Sequence, residues 1–405
     1  MSYRRPSVFY YRVTQAASGI VSSLVFRRKF LRNEIRGVKG PFVVIANHEC
    51  MLDFVNLIGA TKRPMSFVIS NSFYNTVPVK GIMDKIGVIP KQQFQTSVTD
   101  LKQIKAVVDA GEPVVIYPAG LMCEDGLSTP IPAATYKFLK WLGADVYVAR
   151  CSGSYFVMPK WTSGMRPGKT TMDIYKLFSK EELADMDLDT IRKKTDGALL
   201  FDAYREQDAK PQKYSKNGDI RGLEQVLYVC PHCHEEFTMV CEGKNMLRCT
   251  QCGYAQRSDA MGLLHKESDH GPEMRYVSDW SRWIYRRLRR QLEIGEEVSL
   301  SSEADIHMID YEKHKFVPVG QGRLSLSPDG FTIDGIIRDE EISIRVPVGS
   351  VPTLPFKPGK YLEIQQGKDI YRCLLSDGKL VMKFINLVKI YYELHQNELN
   401  KEKVT

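Results

Sequence analysis

His48 and Asp53 stand five residues apart in the stretch VVIANHECMLDF, residues 43–54. A neutral imidazole held in one tautomer by a carboxylate can remove the proton of a weakly acidic hydroxyl as it attacks a carbonyl. The spacing alone is weak evidence, because a chain with 8 His often places one near an acid. A second cluster is more specific. Cys230 and Cys233, then Cys249 and Cys252, form two C-x2-C pairs with fifteen residues between them. Each pair lets a tight turn offer two thiolates to one ion, and two such turns complete a tetrahedral S4 zinc site. Gly253 after the second pair helps the chain turn back with its amides toward sulfur. His232 and His234 are alternate ligands, but four cysteines already fill the shell, and Cys241 lies between the pairs. With no position left open for substrate, such a zinc is structural.

The elements that must position His48 are legible around it. PFVVIAN, MSFVIS, GVIPK, PVVIYPAG and DVYVARCSG read as strands between Pro41 and Gly153. VTDLKQIKAVVDAG reads as a helix with Thr99 as N-cap and Gly111 past its end, and AATYKFLKWLG as another stopped by Gly143. Strands alternating with helices predict a layered α/β domain with a mostly parallel sheet. Residues 180–226 read as charged and helical, broken by AKPQKYSKNG. In SDWSRWIYRRLRRQLEI, Trp280, Trp283, Ile284, Leu288 and Leu292 recur at helical spacing among arginines. That basic amphipathic helix suits an anionic surface or a packing interface. From Gly320 the period changes to two, with DG and GK turns, and a final helical run closes the chain. This suggests a small β-rich module of pleckstrin-homology-like or GRAM-like type.

At 405 residues, 43% hydrophobic and 26% charged, the chain is globular and long enough for two or three domains. The segments expected are an N-terminal amphipathic, membrane-facing piece at 1–40, the α/β domain with its helical extension at 41–226, and the ribbon at 227–256. A linker with the basic helix at 257–300 and the β-rich module at 301–405 complete the order. The net charge of +8 serves nucleic acid, anionic membrane or phosphorylated substrate equally. The ribbon hairpin opposes Glu235, Glu236 and Glu242 to Lys244 and Arg248, so it lacks the basic and aromatic concentration that nucleic-acid binding needs. Nine cysteines, four of them in metal-type spacing, suit a reducing cytosol. No stretch reaches the roughly 18–20 apolar residues that cross a bilayer. Near the N-terminus, Thr14, Gln15, Ser18, Ser22 and Ser23 interrupt the apolar run, and Arg27, Arg28 and Lys29 follow it. A helix that packs on the body or lies in a membrane interface fits this pattern better than a signal peptide.

Downstream of Asn47-His48-x4-Asp53 come GVIPK, ending on Lys91, and YPAG, ending on Gly120. In this order, over roughly residues 30–160, the sequence resembles the glycerolipid (lysophosphatidate-type) acyltransferase family. The resemblance implies that His48 is the general base and Asp53 its orienting partner, with Asn47 part of the same motif. It implies that Lys91 stands near the acceptor phosphate and that Tyr117, Pro118 and Gly120 line the acceptor site. The donor implied is acyl-CoA or acyl-carrier protein, and the acceptor a lysophospholipid at the cytoplasmic face of a membrane. Two departures fall in the third motif, where the family's Glu is Ala119 and its Arg is Met122. Glu124 and Asp125, or a phosphate held by Lys80, Lys91 or Arg150, are the available substitutes. The competing reading is a catalytically degenerate homologue acting as a zinc-ribbon binding or scaffold protein. No thiol nucleophile is needed for this chemistry, so Cys50 reads as a small packing residue.

Overall fold

The computed structural model describes residues 5–93, 97–215, 218–347, 349 and 351–402, with side chains through Glu398. The chain divides into two compact units, Met1–Asp219 with Asp259–Gly262, and Ile220–Ser258 with Leu263–Thr405.

The first unit is built on a seven-stranded sheet in the order β1-β7-β6-β2-β5-β3-β4. Its strands are β1 (Lys29–Asn33), β2 (Phe42–Ala46), β3 (Ser66–Ser70), β4 (Ile89–Lys91), β5 (Val114–Ile116), β6 (Asp145–Ser152) and β7 (Thr171–Phe178). The run β6-β2-β5-β3-β4 is parallel, as the sequence predicts. Strand β7 is antiparallel to β6, and β1 pairs with β7 in parallel, so the sheet is mixed at one edge. Both β1 and β7 escape the sequence reading. β1 is a mostly exposed edge strand without apolar alternation. β7 is broken by a bulge opposite Val146–Tyr147, which interrupts its period of two.

β2 explains why a continuous apolar run precedes His48. Phe42, Val44 and Ala46 pack into one core, and Val43 and Ile45 into the other. A strand covered on both faces has no polar alternation. The helices are α1 (Val8–Leu24), α2 (Asp53–Leu57), α3 (Asn71–Thr76), α4 (Lys80–Lys85), α5 (Val98–Asp109), α6 (Ala134–Leu142), α7 (Ser154–Val157), α8 (Lys180–Asp185), α9 (Leu188–Leu199) and α10 (Ala203–Ala209). α5 is capped two residues earlier than the sequence suggests, by the Ser97 hydroxyl accepting from the Asp100 amide. α6 ends at Gly143 in the left-handed conformation, as expected.

α1 is inside out. Its inward face is polar: Gln15 donates to the carbonyls of Ile58 (2.8 Å) and Thr61 (2.7 Å), and Ser22 donates to Asn56 (2.9 Å). Phe9, Val13, Ile20 and Leu24, four apolar residues at helical spacing, are 54–70% exposed. Tyr11 carries a fully buried large side chain inward from this helix, and Tyr10 packs partly buried against the same core.

The second unit begins with a four-stranded antiparallel sheet of β8 (Met239–Glu242), β9 (Met246–Cys249), β10 (Ala255–Ser258) and β11 (Leu264–Lys266). α11 (Val277–Glu293) follows. Seven antiparallel strands come next, β12 (Leu300–Asp310), β13 (Lys315–Ser327), β14 (Gly330–Ile337), β15 (Glu340–Pro347), β16 (Phe356–Lys357), β17 (Tyr361–Gln366) and β18 (Asp369–Leu375). They run β15-β14-β13-β12-β18-β17-β16, and α12 (Leu380–Glu402) closes the chain. α11 is a packing helix, with Trp280, Ile284 and Leu288 buried and the Trp280 indole donating to the Val229 carbonyl at 2.9 Å. Lys383 of α12 pairs with Glu236 at 2.6 Å, so segments read separately from the sequence join in one unit.

Candidate active site

At the end of β2 the chain turns sharply, and the Asp53 carboxylate organises the turn. Its Oδ2 accepts from the backbone amides of Glu49 (2.7 Å) and Cys50 (2.9 Å) and meets His48 Nδ1 at 2.9 Å. Asp53 is buried, whereas the His48 side chain is 22% exposed and open on one side. With Nδ1–H given to the carboxylate, Nε2 is the nitrogen left to take a proton. The Tyr117 ring lies against the imidazole, centroids 4.6 Å apart and tilted by 35°, and fixes its plane. The Tyr117 hydroxyl is buried without a hydrogen-bond partner.

Asn47 lines the hollow beside His48, and its side chain is also bonded across the sheet. Its amide donates to the Cys151 carbonyl and accepts from the Cys151 amide, both at 2.7 Å. The side chain thereby acts as one more rung between β2 and β6, and clamps the residue before His48. A cleft opens beside His48, walled by Pro118 and Ala119 on one side and by Ser128, Thr129, Ile131 and Leu199–Phe201 on the other. The second wall is stitched together: Ser128 N donates to the Phe201 carbonyl at 3.1 Å, and Phe201 N to the Ser128 hydroxyl at 3.0 Å. Leu127 and Asp202 complete it as a β-bridge.

Tyr117 therefore lies against the imidazole and Pro118 lines the cleft, while Gly120, at φ +71°, ends the turn that carries them. Lys91 does not line the cleft. It sits on the edge strand β4, half-buried, with Nζ on the Gln92 carbonyl at 3.0 Å, and burial lowers its pKa. Two residues on, Gln93 donates to the Gly120 carbonyl at 2.6 Å. The other two cations are committed elsewhere. Lys80 pairs with Asp84 (3.1 Å), and Arg150 pairs with Glu206 and donates to the Leu199 carbonyl (3.0 Å). Ala119 lines the cleft with no carboxylate, while Glu124 and Asp125 are buried. Cys50 and Cys123 are fully buried, and burial pushes both thiols well up, which leaves them unreactive.

Sequence reasoning passed over Glu49. It is fully buried behind the dyad, with Oε2 accepting from the Tyr155 amide at 3.0 Å and Oε1 from the Asn47 amide at 3.3 Å. Burial first, then the charges of Glu206 and Asp53, push its pKa up to about 8, against the opposing pull of Arg150. A carboxyl whose folded pKa is raised holds a proton that the unfolded chain has lost between the ordinary carboxyl range, ~4.3, and about 8. Stability should therefore fall as pH rises through that window and level off above it. In Glu49→Gln this contribution to the slope disappears, which denaturant midpoints between pH 5 and 8.5 would register. An unchanged slope would mean that Glu49 is not held neutral.

The Cys pairs also come together. Cys230 and Cys252 sulfurs are 3.7 Å apart, as are Cys233 and Cys249, close to the roughly 3.8 Å edge of a tetrahedron with ~2.3 Å metal–sulfur bonds. All four lie within 4.8 Å of one another and could hold a metal ion.

Residues 26–155 match the family model described as Acyltransferase. Among solved structures, the chain is similar to the 1-acyl-sn-glycerophosphate (LPA) acyltransferase PlsC from Thermotoga maritima, at 15% identity and a TM-score of 0.41, over 50% of this chain and 78% of that one. No curated protein sequence matches. The segment that matches the Acyltransferase model, residues 26–155, contains both His48 and Asp53 and the motif order that follows them.

Proposed function

We propose that this chain moves a fatty acyl group from the thioester of acyl-CoA or acyl-carrier protein to a hydroxyl of a lysophospholipid such as 1-acylglycerol 3-phosphate. The observation that carries this reading is the His48–Asp53 hydrogen bond beside the cleft, inside the segment that matches the family. His48 Nε2 takes the hydroxyl proton as the oxygen attacks the thioester carbonyl. Asp53 holds the ring and balances the imidazolium that forms. As the tetrahedral adduct collapses, the C–S bond breaks, and the imidazolium returns the proton to the leaving thiolate. The Tyr117–Gly120 turn carries the wall on which the acceptor rests, Asn47 fixes the loop beside it, and Lys91, outside the cleft, is assigned no contact with the acceptor. A zinc ion in the S4 cluster holds the ribbon hairpins, and the antiparallel sheet with its closing helix is a pleckstrin-homology-like accessory module.

The reading places the protein on the cytoplasmic face of a membrane, where its acceptors reside. Among the described residues no helix is long and apolar enough to cross a bilayer. The outward stripe Phe9, Val13, Ile20 and Leu24 on α1, next to exposed Arg12, Arg27 and Lys29, suits a helix lying in an anionic interface. The test is release of free CoA from acyl-CoA on vesicles carrying a panel of lysophospholipids. Turnover with at least one acceptor is expected, and none with any would sink the enzyme reading in favour of a scaffold. Replacing Phe9, Ile20 and Leu24 by Ser should abolish flotation with anionic vesicles and leave the fold intact. Undiminished flotation would remove α1 as the anchor.

A further inference from the structure

The second unit brings a histidine from outside the ribbon against one of its four cysteines. His270 lies eighteen residues beyond Cys252, in the segment after β11. Its ring meets that of His232 with centroids 4.5 Å apart and a tilt of 57°. Ligand atoms of His232, His270 and Cys252 all fall within 4.8 Å of one another. We propose that these three residues form a second metal site of open coordination, in which the Cys252 sulfur bridges to the ion of the S4 cluster. The inference rests on the S4 reading, because Cys252 is one of the four cysteines of that cluster.

The donor set points to the class of ion. Two imidazole nitrogens and a thiolate suit zinc, and three protein ligands leave a fourth position for water or another donor. A thiolate keeps lone pairs after binding one metal, so sharing costs no further deprotonation, and the two imidazoles bind in their neutral form.

The segment that carries His270 is fastened against the ribbon. Ser268 Oγ donates to the His270 carbonyl at 2.9 Å, Lys266 Nζ to the Gly271 carbonyl at 3.3 Å, and the Tyr254 hydroxyl to the Pro272 carbonyl at 2.6 Å. Gly271 sits at φ +80°, and a Cβ there would stand 2.6 Å from the Tyr254 ring and 3.1 Å from His232 Cβ. The chain thus requires glycine next to His270 to bring the two histidines together. On the other side, the His232 amide donates to the Cys230 sulfur at 3.4 Å, which sets that histidine on the metal-binding turn.

Zinc content of the full-length protein tests the assignment, measured after equilibration with excess zinc and again after a mild chelator. Two zinc ions per chain are expected, the second removed by chelator at least tenfold more readily than the first. His232→Ala and His270→Ala should each retain one zinc and lose the weaker one. His234→Ala should retain both, since that ring lies against Trp283, 5.5 Å between centroids. Cobalt substitution gives a second readout, because the bridging sulfur should change the charge-transfer band as the second equivalent enters. One zinc in the wild type at saturation, or a second zinc that survives both histidine substitutions, overturns the proposal and leaves the S4 site standing. No zinc at all overturns both.

Discussion

His48→Ala should lower the rate of acyl transfer by about 10²–10⁴-fold, or roughly 3–5 kcal/mol in the barrier, with little change in KM. The size follows from what the imidazole does. A lysophospholipid hydroxyl keeps its proton at neutral pH, so without a base the attacking oxygen must carry positive charge into the transition state. Binding is hardly touched, because the cleft walls at Pro118, Ala119 and Leu199–Phe201 are unaltered. Asp53→Asn should lose a comparable factor by a different route. The Asp53 oxygen that meets His48 also accepts two backbone amides, and an Asn amide nitrogen turned toward them would set donor against donor. With its oxygen turned that way instead, Asn could still accept, but no negative charge would remain to balance the imidazolium. Stopped-flow detection of released CoA under saturating acceptor separates the two variants from a folding defect. A His48→Ala enzyme with wild-type kcat would remove the proposed base altogether.

Replacing Cys230 and Cys233 by Ser should abolish tight zinc binding and unfold the ribbon. Structural zinc contributes on the order of 10–16 kcal/mol to small metal-bound modules, more than the whole stability of an average domain. The damage should not stop at β8–β11. Val229, next to Cys230, accepts from the Trp280 indole, and Tyr228 accepts from Asn386 of α12 at 3.4 Å. α11 and α12 therefore lose hydrogen-bonded anchors when the metal-binding turns go. Metal analysis and the tryptophan fluorescence of Trp280 and Trp283 report the two levels separately. Native fluorescence in a zinc-free variant would show that the hairpins stand without metal.

The dyad was legible through the order in which GVIPK and YPAG follow it, since the spacing of His48 and Asp53 alone is weak evidence. The parallel order of β2, β5, β3 and β4 was legible because buried strands leave continuous apolar runs. What supports the dyad was not. Glu49 owes its character to Tyr155, Glu206 and Arg150, residues brought to it only by folding, and a glutamate in a loop reads as solvent-exposed until then. Asn47 read as a motif residue, yet its bonding to Cys151 spans more than a hundred residues of sequence. The Lys91 position shows the converse. Motif order placed it at the acceptor, whereas the sheet order sets β4 at the far edge, three strands from β2.

The Asn47 rung has a mechanical consequence. One flank of the cleft is welded to the sheet through β2 and β6, so the base cannot retreat to admit a bulky chain. The opposite flank is a clip of two loop segments, Gly126–Ser128 and Phe201–Ala203, bonded to each other at three places. Any widening at His48 must move that clip as one body. Both flanks are thus anchored to the sheet, the first through Asn47 and the second through Arg150 of β6, which donates to the Leu199 carbonyl.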